Sequence, residues 1–185
     1  MMLKLEEQDH EDRTNGTPKL QRLRQIPPET GKFLAIMLAN SPEGTSIEIG
    51  TSAGYSTLWL ALACRATGKR IITIEVLDDK VKLAKETFQK SKVNDVVDLV
   101  HGDARHLIHE YSGISFCFLD CEKEYYVECY EAVIPNLVKG GILIAHNATS
   151  HESELAQFVK EAYSDERVDT ILVPYEKGVL VCRKK

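Results

Sequence analysis

From Ser46 onward the hydrophobic positions fall into short runs separated by longer mixed stretches. The runs are Ile47-Glu48-Ile49, Ile71-Ile72-Thr73-Ile74, Val96-Val97-Asp98-Leu99-Val100, Phe116-Cys117-Phe118-Leu119 and Ile142-Leu143-Ile144-Ala145. Their length and bounding polar segments predict strands. Between them lie helix candidates near 55–66, 79–91, 104–110 and 124–138. Strands that alternate with helices, and are apolar almost throughout, predict a parallel sheet covered on both faces. Gly140-Gly141 is expected to close the fourth of these helices, since glycine readily takes the left-handed cap conformation.

Both ends of the chain depart from this rhythm. Residues 153–163 read as a helix, and Val168 to Val173 and Val179 to Cys182 as two strands around Tyr175-Glu176-Lys177-Gly178. That spacing predicts a hairpin, so an antiparallel strand is added to the parallel sheet. At the other end, residues 1 to 25 are dense in charge and show no apolar period, and are expected to form a mobile or loosely docked arm. Pro27 and Pro28 then open a helix, with Phe33, Leu34, Met37 and Leu38 on one apolar face. The expected organisation is an arm over 1–25 and a single α/β domain over 26–185.

Composition narrows the class. The 185 residues suit one domain with a proper core. A net charge of -5 argues against general nucleic-acid binding, which favours basic surfaces. No apolar run approaches a membrane span, and the polar N-terminus lacks the core of a signal peptide. The five cysteines, Cys64, Cys117, Cys121, Cys129 and Cys182, contain no C-x-x-C pair and read as reduced thiols of a cytoplasmic protein. Cys117 and Cys182 sit in apolar runs and are expected in the core.

The candidate chemistry gathers at strand C-termini. The strand ending at Ile49 runs into Gly50-Thr51-Ser52-Ala53-Gly54, and a helix follows. Such a turn lets backbone approach a ligand closely, and the helix start offers free N–H groups. The spacing is not G-x-G-x-x-G, which disfavours a nicotinamide dehydrogenase. The second strand ends at Glu75, where an acid commonly holds ribose hydroxyls, and the third leads into Gly102-Asp103-Ala104.

Glu48 through Ser56 resembles the cofactor motif E-[IL]-G-x-x-x-G-Y-S of the catechol and caffeoyl-CoA O-methyltransferase family. Arg24-Gln25-Ile26-Pro27-Pro28-Glu29-Thr30-Gly31 resembles the opening helix of its small prokaryotic members. The likeness runs from about residue 24 to 183. It implies a Rossmann-like class I methyltransferase fold: a mostly parallel seven-stranded sheet with an antiparallel last strand and helices on both faces. It also implies S-adenosylmethionine as cofactor. By the same resemblance Glu48, Gly50, Ser52, Tyr55 and Ser56 surround its methionine part, Glu75 binds ribose, and Asp103 and Ala104 flank adenine. Family members often dimerise, but no interface is legible in this chain.

The fourth strand closes on Asp120, in Phe118-Leu119-Asp120-Cys121-Glu122-Lys123-Glu124-Tyr125-Tyr126, which resembles the family's F-[IL]-D-x-x-K-x-x-Y. That likeness implies Asp120 as a metal ligand beside the bound cofactor and Lys123 as the catalytic base. A lysine amine can serve so where its surroundings favour the neutral form. After the fifth strand the family pattern is Asp-Asn, both metal ligands, whereas this chain has His146-Asn147. Magnesium favours oxygen donors, so its site is expected to be weakened, while imidazole suits zinc or iron and manganese also stays open. Histidine as a residue type titrates near neutrality, so metal-free transfer with His146 as acid or base is chemically open too. A divalent metal on Asp120, His146 and Asn147 is the expectation carried forward. Tyr125, Tyr126 and Tyr130 either line an acceptor pocket or pack a helix face. His106 and His109 share a helix face that is expected to be solvated, and His151 carries no stronger signal.

The reading is therefore S-adenosylmethionine-dependent O-methylation of a small hydroxylated, aromatic acceptor. The alternative is a cofactor-binding protein whose turnover is lost or altered through His146.

Overall fold

A computed structural model describes residues 1–19 and 21–185. Seven strands form one sheet: β1 (Thr45–Ile49), β2 (Ile71–Glu75), β3 (Val97–His101), β4 (Ile114–Leu119), β5 (Leu137–His146), β6 (Val168–Val173) and β7 (Val179–Lys184). Their order is β3-β2-β1-β4-β5-β7-β6. The first five run parallel, and β7 is antiparallel to both neighbours. This is the sheet expected from the sequence, with the last strand reversed because a short hairpin can only return antiparallel.

Strand alternation divides the core into two layers. Phe116, Phe118, Ile142 and Ile144 face one way, onto α2 (Pro28–Ala39), α3 (Tyr55–Thr67) and α4 (Asp78–Ser91). Cys117, Leu119, Leu143 and Ala145 face the other, onto α6 (Tyr126–Val133) and α7 (Glu152–Ser164). Cys117 and Cys182 are fully buried, as expected. Tyr126 and Tyr130 pack edge-on against Phe158, so they belong to the helix-packing layer rather than to a pocket. His106 and His109 are exposed, on and just after the short α5 (Ala104–Leu107).

Three elements differ from the sequence reading. The helix before β5 ends at Val133 and passes through a tight turn containing Pro135. Gly140 and Gly141 therefore lie inside β5 rather than capping that helix. A Cβ on Gly141 would stand 2.9 Å from the carbonyl oxygens of Ile114 and Val138, so close strand packing selects this glycine. The segment Arg24–Pro27 precedes the opening helix, which starts at Pro28.

The N-terminal segment is the third difference. It contains a helix, α1 (Met2–Thr14), which buries Leu5 and Asp12. No apolar stripe announces it because polar side chains dock it. Asp12 accepts from the Leu23 N–H at 3.0 Å, Asp9 accepts from the Gln25 N–H at 3.2 Å, and Tyr55 donates its hydroxyl to Glu6. Residues 21–25 thus lie as a strap across the C-terminal edge of the sheet. Ser52 donates to the Leu23 carbonyl, and Lys80 to the carbonyls of Gln21 and Arg22. Among the described residues no helix is long and apolar enough to cross a membrane.

Candidate functional site

The strand order changes direction between β1 and β4, where their C-terminal ends diverge and leave a crevice. Two cavities open there. The first, about 280 Å³, lies between the strap and the ends of β1, β4 and β5. The second, about 370 Å³, lies over the ends of β1, β2 and β3 and reaches the start of α6. They share Arg24, Gly50, Ser52, Asp120 and Cys121 as a common wall, so one elongated ligand can span both.

The glycine turn makes that wall. Gly50 has φ +103°, and a Cβ there would stand 2.4 Å from the Asp120 carbonyl oxygen. The β1 exit consequently needs glycine to pass the β4 exit. Its N–H donates to the Ile74 carbonyl at 3.0 Å, and the Asp120 N–H donates to Ile49 at 2.9 Å, which ties three strand ends together. Gly54 takes a left-handed φ of +87° as the residue before α3.

The predicted cofactor residues divide between the two cavities. Tyr55 and Ser56 line the first, Glu75, Asp103 and Ala104 the second, and Gly50, Ser52 and Asp120 both. The Glu75 carboxylate accepts from the Ser52 N–H at 2.7 Å and from the N–H groups of Val76 and Leu77 at 2.9 Å. Asp103 caps α5 through the Arg105 N–H at 2.9 Å and pairs with the Arg105 side chain. Arg105 in turn stacks over Tyr125, 4.0 Å from the ring centre.

Glu48 lines neither cavity. It is fully buried under α3, where its carboxylate accepts from the hydroxyls of Ser56, Thr57 and Thr73. Burial pushes its pKa from 4.5 up to about 7, against the pull of those three donors. A carboxyl whose folded pKa is raised contributes stability fully below pH 4.5 and loses it as pH rises through about 7. Glu48→Gln should therefore flatten the fall in unfolding free energy between pH 4.5 and about 7, an effect on the order of 3 kcal/mol. Urea titrations of both proteins across that range check this, and parallel pH profiles would count against it.

The transfer end is built on Asp120, whose side chain is 15% exposed. One oxygen accepts from Lys123 at 3.1 Å and from the Asn147 amide at 2.9 Å. The other lies 3.0 Å from His146 Nδ1. Burial opposes ionisation, but the charges and hydrogen bonds of His146 and Lys123 outweigh it and hold Asp120 well below the usual carboxylate range. Lys123 also donates to the Cys121 carbonyl and meets the Tyr126 hydroxyl, both at 2.9 Å. All three ammonium protons thus have partners.

These contacts do not fit a divalent metal. Both Asp120 oxygens are taken by donors, one of them an ammonium, and the set supplies no second carboxylate. His146 lines neither cavity. It commits Nδ1 to Asp120, and its Nε2 is sealed in the interior without a partner. Among the described residues no group of three His, Cys, Asp or Glu side chains is placed to hold a metal ion. The expected metal set is accordingly a hydrogen-bonded cluster, in which histidine replaces an anionic oxygen by a donor.

Several lining residues carry no role that the motifs imply. Arg24 pairs with Glu122 across the shared wall. Its φ of +52° is a conformation that costs a non-glycine residue energy and is held here by the ion pair and the strap. Gln25, Lys177 and His151 also line the first cavity. Burial lowers the His151 pKa, with the Lys123 charge adding to it. No spacing signals these residues, because the strap and the β6–β7 turn meet only in the folded chain.

Known proteins share both the sequence pattern and this architecture. Residues 9–185 match the O-methyltransferase family. A caffeoyl-CoA O-methyltransferase of Stellaria longipes is 29% identical over 182 residues, covering 85% of this chain and 75% of that protein. A catechol O-methyltransferase of Mycobacterium tuberculosis is 29% identical over 131 residues, covering 70% of this chain and 59% of that protein. Among solved structures, an SAH-bound methyltransferase of Podospora anserina superposes with a TM-score of 0.83 at 22% identity, covering 98% of this chain and 87% of that one. An O-methyltransferase from Bacillus cereus, in complex with SAH, has a TM-score of 0.80 at 21% identity, covering 98% and 90%. With the family match spanning nearly every residue and the strand-end crevice in place, the chain belongs to the O-methyltransferase family.

Proposed function

We propose that the protein transfers a methyl group from S-adenosylmethionine to a hydroxyl of a small aromatic acceptor. The carrying observation is the shared wall of Gly50, Ser52 and Asp120, which joins a cavity bounded by Glu75 and Asp103 to one bounded by Lys123 and Asn147. An elongated cofactor fits the pair, with adenosine over β2 and β3 and its sulfonium end at Asp120. The close passage at Gly50 leaves no room for a side chain, as a backbone cradle requires. When bound, the cofactor supplies an electrophilic methyl group.

The chain's own contribution is placement and charge. Methyl transfer needs the acceptor held in line and its oxygen made nucleophilic. Lys123 lines the acceptor side, and its ammonium can stabilise a developing phenolate there. For Lys123 to take the proton instead, its ammonium must first release a proton to solvent and give up one of its three present partners. Asp120 orients Lys123, Asn147 and His146 together. The buried Tyr126 hydroxyl, donating to the His146 carbonyl at 3.2 Å, holds the cluster from behind. The donor set around Asp120 supports transfer in which Lys123, rather than a dication, supplies positive charge.

Thermal unfolding with S-adenosylmethionine and with NAD tests the cofactor. The former should raise the midpoint through linkage and the latter should not. Turnover of a catechol panel is expected to persist in chelator and to collapse in Lys123→Ala with cofactor affinity kept. Activity lost in chelator and restored by magnesium would sink the metal-independent reading.

A further inference from the structure

The first cavity carries more positive charge than the proposed reaction uses. Arg13, Lys19, Arg22, Arg24, Lys123 and Lys177 all line it, against the single carboxylate of Asp120. Three of these cations are already matched: Arg13 to Asp9, Arg24 to Glu122 and Lys123 to Asp120. Arg22 donates to the Thr17 carbonyl at 2.6 Å. Lys19 is exposed to solvent, whereas Lys177 is half-buried. The latter reaches only the backbone carbonyl of Gln25, at 3.4 Å, and has no carboxylate partner among the described residues. Burial and the neighbouring Arg13 charge both disfavour its ammonium. Beside it, Gln25 is nine-tenths buried, and neither polar atom of its side-chain amide has a hydrogen-bond partner. A half-buried cation without a counter-ion and a buried, unpartnered amide mark a site that is completed from outside.

Resting on the function proposed above, we infer that the acceptor carries a carboxylate beside its hydroxylated ring, held by Lys177 and the Gln25 amide at the strap side of the first cavity. One ammonium and one amide N–H match a monoanion. A phosphate dianion calls for several guanidinium forks together, but those of Arg13 and Arg24 are committed to Asp9 and Glu122, which leaves Arg22 alone, itself turned onto the Thr17 carbonyl. The competing occupant is the cofactor's own carboxylate. Lys177 sits away from the glycine turn, in the β6–β7 turn, whose carbonyl accepts from Thr149 and Ser150 at 3.1 and 3.2 Å. That places its backbone beyond β5, beside the loop after Asn147. The ammonium therefore approaches Asp120 from the side opposite the second cavity.

The test titrates the protein saturated with S-adenosylhomocysteine with 3,4-dihydroxybenzoate and with its methyl ester, by calorimetry. The acid should bind at least ~10-fold more tightly than the ester. Lys177→Gln should bring the two to about the same affinity, and Lys177→Arg should keep most of the preference. S-Adenosylhomocysteine affinity should stay within roughly twofold in both variants. Equal binding of acid and ester to the wild type, which needs no variant, overturns the proposal. So does binding of neither, or a preference that survives Lys177→Gln. A Lys177→Gln variant that loses S-adenosylhomocysteine affinity also overturns it, since the ammonium then serves the cofactor. Failure of S-adenosylhomocysteine to bind the wild type is a separate result, and it would overturn the function itself.

Discussion

Gly50→Ala is expected to abolish measurable S-adenosylmethionine binding and to destabilise the fold. The left-handed φ of +103° is strained for any side chain. The added Cβ would also sit 2.4 Å from the Asp120 carbonyl oxygen and 2.8 Å from its carbon. That neighbour is backbone at the end of a central strand, held by the bond from the Asp120 N–H to Ile49, so it cannot swing aside. Strain and overpacking together should cost about 2–5 kcal/mol. Relief requires the ends of β1 and β4 to separate, and these ends form the wall common to both cavities. Gly68→Ala is the control. Gly68 has φ +72° but nothing within 4 Å of a new Cβ, so it should lose only about 1 kcal/mol and keep cofactor affinity. Calorimetric titration and urea unfolding of the two variants distinguish them. A Gly50→Ala protein with wild-type affinity would refute the cradle.

Asp120→Ala should eliminate turnover and lower stability by about 2–4 kcal/mol. The carboxylate is the acceptor for Lys123, Asn147 and His146, and its removal leaves an ammonium and an imidazole facing each other in a largely buried cluster. Breaking one partner of such a set costs more than the set's net worth, because the remaining charge is stranded. Lys123 then has no anchor and Asn147, at φ +62°, loses a contact that holds its conformation. Single-turnover assays with saturating cofactor measure the first effect and denaturant unfolding the second. The pH dependence gives an independent check. Since Asp120 is held below the ordinary range, its contribution is complete above about pH 4 and is lost as pH falls through its depressed folded value. The alanine variant should lack that acid limb. Wild-type turnover in Asp120→Ala would remove the cluster from the chemistry.

The N-terminal strap and the C-terminal hairpin acquire a joint role from this arrangement. Arg24 and Gln25 come from one, and Lys177 from the other, 152 residues from Gln25. Both reach the first cavity, while the parallel strands supply the second. The second cavity thus sits on the most regular part of the fold, and the first draws on the N-terminal segment and the hairpin as well.

The chain itself determined the sheet, the reversed last strand, the glycine turn and the placement of Glu75, Asp103, Asp120 and Lys123 at strand ends. These were legible because each depends on local pattern: apolar runs between helices, a glycine pair at a strand exit, an acid closing a strand. Tertiary structure alone decided the rest. It made α1 a docked helix through Asp9, Asp12 and Glu6, with no apolar period to announce it. It turned Glu48 away from the cavities into a cage of hydroxyls, because alternation along β1 points that side chain at α3. It placed Gly140 and Gly141 inside β5, with Gly141 required by the close approach of the Ile114 and Val138 carbonyls. It also gave the expected metal set a hydrogen-bonded arrangement, since whether His146 Nδ1 offers a lone pair to a metal or an N–H to Asp120 depends on what surrounds the ring. Sequence periodicity reports which face a residue occupies, whereas the partner it meets there comes from distant segments brought together by packing.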